Sequence, residues 1–175
     1  MSIKNDVFIY IVILLFVVPL PWLSAWFAVV IIHELCHYAA VILCGGRIEQ
    51  VMVSIGGIYM RCSPMPEVKR VICILSGPLG GLILLIFHRI FPRVAICAWI
   101  LSAYNLIPIL PLDGGHILQI LMKDSIWFYR TQRLLIPIVF LLAIFFLAKL
   151  GLGILPIIAV GILFLKYRNT PCKID

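Results

Sequence analysis

The chain has 175 residues, of which 64% are hydrophobic and only 12% charged, and its net charge is +7. Its mean hydropathy is +1.19, more apolar surface than a soluble domain of this size can hide, which leaves an all-α polytopic membrane protein. The positive balance then reads as basic loops beside a membrane, and no nucleic-acid partner is expected.

Residues 7–20 make the first predicted span. No small-residue cleavage site follows it, so it is read as retained. Pro19 and Pro21 close it, and the second span covers about 22–44; its 23 residues at 1.5 Å each reach about 35 Å, enough to cross. The second half of that span contains His33-Glu34-Leu35-Cys36-His37. On a helix, positions four apart share a face, so both imidazoles can reach one ion. The glutamate beside the first can contact a water there, which is the H-E-x-x-H arrangement of zinc hydrolases. A chance match in a chain of this composition is expected roughly 0.4% of the time, and ionisable groups at membrane depth are costly unless they function. Cys36 shares the motif but points elsewhere and reads as packing. The chain's cysteines show no C-x-x-C pair and read as reduced.

Gly45-Gly46 ends this helix. Residues 47–62 are too polar for a span and are divided by Gly56-Gly57, with alternating Val51, Val53 and Ile55 before them. A short membrane-associated β-hairpin is expected, against the alternative of a structureless loop. The third span, 71–87, contains Ser76-Gly77-Pro78-Leu79-Gly80-Gly81, which predicts either close packing beside the motif helix or a simple proline kink. The fourth span covers 94–107.

Asn105 to His116 is the second informative stretch. Pro108 and Pro111 stop a regular helix, and Asp113 is the only acidic residue between Glu67 and Asp124. Gly114-Gly115 permit close approach, and a helix is expected from about 116 to 122. The last spans are 134–149 and 152–166, making about six in all. With the N-terminus in the cytoplasm, eleven basic residues fall on the cytoplasmic side and three (Arg89, Arg93, Lys149) on the other. Both termini are therefore expected in the cytoplasm.

Catalytic zinc takes three protein ligands and an open position. His33 and His37 supply two. Asp113 is the best third, with His116 its competitor. Glu34 then stays available as general base. Asn105 could hold substrate backbone or stabilise an oxyanion, or could simply make an interhelical hydrogen bond. The strands of 47–62 could offer an edge to a locally unwound substrate.

His33-Glu34-x-x-His37, Ser76-Gly77-Pro78 and Asn105-x-x-Pro108-x-x-Pro111-Leu112-Asp113-Gly114-Gly115-His116 together resemble the site-2 proteases, intramembrane zinc metalloproteases with a three-helix catalytic core. The resemblance covers about residues 22–122, within a single expected domain of 1–175 whose accessory spans are 7–20, 134–149 and 152–166. It implies one Zn²⁺ on His33, His37 and Asp113, Glu34 as base, and Asn105 at the substrate. The expected partners are a membrane-tethered protein substrate, the lipid bilayer and a membrane regulatory protein. Six spans without an inserted PDZ domain look most like the subgroup of the stage IV sporulation protease that processes a sigma-factor precursor, which implies a bacterial cell membrane. Two departures stand out: no C-terminal CBS domain, and Gly80-Gly81 where many relatives carry Asn. A catalytically inactive scaffold or a metal transporter using the same His and Asp residues is the alternative.

Overall fold

A computed structural model describes residues 2–3, 18–54, 57–123 and 125–150. They fall in two compact units, Met1–Ile107 and Pro108–Asp175. The predicted spans at 7–20, save its last three residues, and at 152–166 lie outside the described residues.

In the first unit, strand β1 (Ser2–Ile3) precedes helix α1 (Leu20–Leu43). Pro19 is the N-cap of α1 and Pro21 lies in its first turn. The first N–H groups of a helix have no helical partner, so a proline there removes nothing. The helix therefore starts at Leu20, two residues before the expected position. The 24 residues of α1 span about 36 Å. Its far end is closed as the glycine pair predicts. Gly45 adopts φ +80°, and its N–H donates to the Ile42 carbonyl while that of Gly46 donates to Val41, both at 2.9 Å. This is the doubly bonded cap that a residue without Cβ permits. Lys69 Nζ donates to the last turn at the Cys44 carbonyl, 2.8 Å away.

Strands β2 (Ile48–Ser54) and β3 (Gly57–Cys62) pair antiparallel, from Ile48 opposite Cys62 to Ser54 opposite Gly57, with an irregularity between Ile48 and Gln50. This is the expected hairpin. The third strand was not expected: β1 pairs parallel with β2, Ser2 opposite Met52 and Ile3 opposite Val53. β2 is thus the middle strand, and part of the edge offered to a substrate in the sequence reading is taken by the chain's own N-terminus. Two residues carry no periodicity, so the sequence holds no signal for this pairing.

Helix α2 (Glu67–Ile83) starts four residues before the predicted span, with Glu67 in its first turn, where a carboxylate complements the helix dipole. It passes Pro78 and ends in a 3₁₀ turn, Leu84–Phe87. Helix α3 (Pro92–Asn105) again begins on a proline. These three helices pack on one another. Their buried cluster is Ala25, Val29, Cys97, Ala98 and Leu101, while Ile31, Leu35, Ile42, Ile72 and Ile83 are exposed. Small residues inward and large aliphatic ones outward suit a lipid surround. Among the described residues, two helices, Leu20–Leu43 and Glu67–Phe87, are long and apolar enough to cross a membrane.

The second unit contains α4 (Asp113–Leu121) and α5 (Ile126–Leu150). α4 starts at Asp113, not His116, because Gly114 and Gly115 lie within its first turn and the carboxylate favours the N-terminal position. α5 starts eight residues before the expected 134. Arg130, Thr131, Gln132 and Arg133 look like a polar loop in sequence, yet each is accommodated on the helix. Arg130 stacks over Trp127 at 5.2 Å, and the Thr131 hydroxyl donates to the Trp127 carbonyl. Gln132 is buried and Arg133 exposed.

Candidate metal centre

The motif of α1 behaves as its spacing demands. His33 is buried, 3% exposed, and His37 lies one turn on. Their Nε2 atoms face each other 3.1 Å apart, with the rings edge to face at 87°. Nitrogens about 2.0–2.1 Å from a tetrahedral zinc lie about 3.3 Å from each other, so the pair is already close to the spacing of two ligands on one ion. Glu34 is half-buried beside His33.

Helix α2 sets the His37 ring. The Nδ1 of His37 is 2.8 Å from the Cys73 carbonyl. A carbonyl can only accept, so Nδ1 carries the proton and, in the neutral ring, Nε2 carries the lone pair that a metal needs. The Ser76 hydroxyl is 2.7 Å from that same carbonyl and 3.1 Å from the Cys36 carbonyl of α1. Its one proton thereby joins the two helices at the level of the motif. Ser76→Ala is expected to cost about 1 kcal/mol, seen as a lower thermal midpoint in detergent, with metal affinity within a few-fold of native. An unchanged midpoint would show that this bond carries no stability.

The glycines of α2 explain how close the helices come. A Cβ on Gly77 would run into the His37 imidazole, one on Gly80 into Cys36 Sγ, and one on Gly81 into Ser102 Oγ on α3. Of the two readings of Ser76 to Gly81, tight packing beside the motif helix is the one observed. Cys36 is a packing residue, as expected, since its sulfur meets Gly80. Cys36, Cys44, Cys62, Cys73 and Cys97 are free thiols. At the end of β3, burial and the charge of Glu49 push the Cys62 thiol upward, which keeps it protonated at neutral pH.

Asn105 is the last residue of α3 and is half-buried. Asp113 and His116 sit in the second unit, on the first turn of α4, both half-buried. The turn before them is closed by the Leu112 N–H on the Ile109 carbonyl at 2.9 Å. Gly115 is required there, because a Cβ would strike the Ile109–Leu110 backbone. Sequence reasoning missed the Cys73 carbonyl, a backbone group with no residue signature. It also missed Gln132, which stands within the polar run Arg130 to Arg133 and is not singled out by it.

The paired imidazoles, with the His37 ring held from a neighbouring helix, could serve as metal ligands on a helix long and apolar enough to cross a membrane. The comparisons narrow this reading. Residues 63–146 match the model of Peptidase family M50. Over 123 residues, 62% of this chain, the sequence is 27% identical to a zinc metalloprotease of Methanocaldococcus jannaschii. The chain spans 36% of that curated relative's length. The structure of a site-2 protease from Methanocaldococcus jannaschii superposes with a TM-score of 0.66 at 19% identity, covering 97% of this chain and 88% of that one. The chain is thus similar in sequence to Peptidase family M50 and to a zinc metalloprotease, and its fold is similar to that of a site-2 protease. The family segment takes in α2 to α4 and most of α5 but not His33–His37, so the histidine pair is an observation independent of that match.

Proposed function

We propose that this protein is an intramembrane zinc metalloprotease that holds one zinc ion through His33, His37 and Asp113 and uses Glu34 as its general base. The observation that carries this reading is the facing pair of Nε2 atoms, 3.1 Å apart, with the His37 tautomer set by Cys73. Two imidazoles and a carboxylate are the donor types of hydrolytic zinc. Zinc would supply Lewis acidity, polarising the scissile carbonyl and lowering the pKa of a water. Glu34 takes a proton from the attacking water and delivers it to the leaving amine nitrogen. Asn105 binds substrate backbone near the scissile bond. Similarity to a zinc metalloprotease favours this reading over a scaffold or a transporter.

The substrate is a membrane-associated protein, cut near the cytoplasmic face. The eleven-to-three distribution of basic residues supports six spans with both termini in the cytoplasm. The sequence resemblance to the sporulation subgroup makes a membrane-tethered sigma-factor precursor the first substrate to try. The test is co-expression with such substrates, comparing the native chain with Glu34→Gln. The variant is expected to keep its zinc and to lose cleavage by at least 100-fold, the scale of general acid–base catalysis. Cleavage that survives the substitution would defeat the mechanism.

A further inference from the structure

Asp113 follows a turn with little backbone bonding of its own. Pro108 and Pro111 have no N–H, and the residues between them belong to neither helix. The groups that secure the turn come from α5. Gln132 is fully buried, 0% exposed. Its Nε2 donates to the Pro108 carbonyl at 2.9 Å, and the Leu110 N–H donates to its Oε1 at 3.1 Å. One primary amide thus serves a carbonyl and an N–H two residues apart, as a neighbouring strand would. The Leu112 N–H then closes on Ile109, and Gly115 lets the first turn of α4 lie against the Ile109–Leu110 backbone. Every link from Gln132 to the start of α4 is a short contact within one unit.

We propose that Gln132 is the positioning residue for the Asp113 carboxylate: through the Pro108–Leu110 backbone it fixes the turn that presents this carboxylate to the metal. The amide is buried although Arg130 and Arg133 beside it on the helix are exposed. Burying an amide costs free energy unless it is bonded, and among the described residues both of its bonds go to this turn. The role rests on the reading of Asp113 as a ligand. Gln132 touches neither metal nor substrate and acts only through the turn.

The test measures the zinc dissociation constant of the full chain in detergent, by competition with a chelator, for four variants. Gln132→Leu keeps the volume and loses both bonds. Arg133→Ala, exposed on the same helix, controls for general damage to α5. Asp113→Ala tests the ligand, and Gln132→Met replaces the leucine variant if that one does not fold. Gln132→Leu is expected to weaken zinc binding 10–100-fold, the scale for groups that orient a ligand, while Arg133→Ala stays within two-fold. Native affinity in Gln132→Leu, even with a lowered thermal midpoint of the zinc-free protein, overturns the positioning role and leaves Asp113 as ligand. Native affinity in Asp113→Ala overturns the ligand reading and this inference with it. The methionine variant is judged by the same outcomes.

Discussion

Gly77→Ala is expected to weaken zinc binding by 10–100-fold or more while leaving the helical content unchanged. The added methyl would occupy the space of the His37 imidazole. That ring cannot swing aside cheaply, because its Nδ1 is held by the Cys73 carbonyl at 2.8 Å. Either the hydrogen bond breaks or α2 moves away from α1, and both displace Nε2 from its place opposite His33. Overpacking of this kind costs about 1–3 kcal/mol, and disturbing the group that orients a ligand costs about 10–100-fold in metal affinity. Gly80→Ala is the comparison that separates the two effects. Its methyl meets Cys36 Sγ, so it should lower stability by a similar amount but leave zinc affinity near native, and Cys36→Ala in the same chain should restore the stability. Equal loss of zinc in Gly77→Ala and Gly80→Ala would mean that helix separation, not displacement of the ring, is responsible.

Asp113→Ala is expected to abolish stoichiometric zinc after purification, whereas His116→Ala should retain it with affinity within several-fold of native. A zinc ion left with two imidazoles lacks the third protein ligand of hydrolytic sites. It also loses the negative charge that offsets its own in a low-dielectric setting. Metal analysis of the detergent-purified variants decides the matter. The opposite result, zinc retained in Asp113→Ala and lost in His116→Ala, would transfer the ligand role to the histidine.

Local signals in the sequence were reliable where the physics is local. The H-E-x-x-H spacing brings His33 and His37 to one face because a helix has 3.6 residues per turn, and the structure faces their Nε2 atoms as that periodicity requires. Gly45-Gly46 ended α1 by the cap geometry that glycine allows. The alternation around Val51 announced a hairpin. Boundaries were less legible. The spans were expected to begin after Lys69-Arg70 and after Arg133, yet α2 starts at Glu67 and α5 at Ile126. Hydropathy reports the preference of a side chain for lipid, while a helix continues wherever its backbone bonds can be made and its polar side chains find partners.

The sequence by itself determined the apolar character of the helices, the pair of imidazoles on one helix face, and the carboxylate beside the first histidine. Composition and spacing along the chain carry all of these. Only the tertiary structure decided what orients those donors. Nothing in the order of residues shows that Ser76-Gly77-Pro78 would lie against His37, that the Cys73 carbonyl would fix its tautomer, or that an amide 24 residues after Pro108 would hold the turn before Asp113. These contacts join residues far apart in the chain, two of them through backbone groups that every residue possesses. They exist because helices close on one another only where glycine and other small side chains let them. The opening motif supplies the nitrogens, and packing of its neighbours sets where they point.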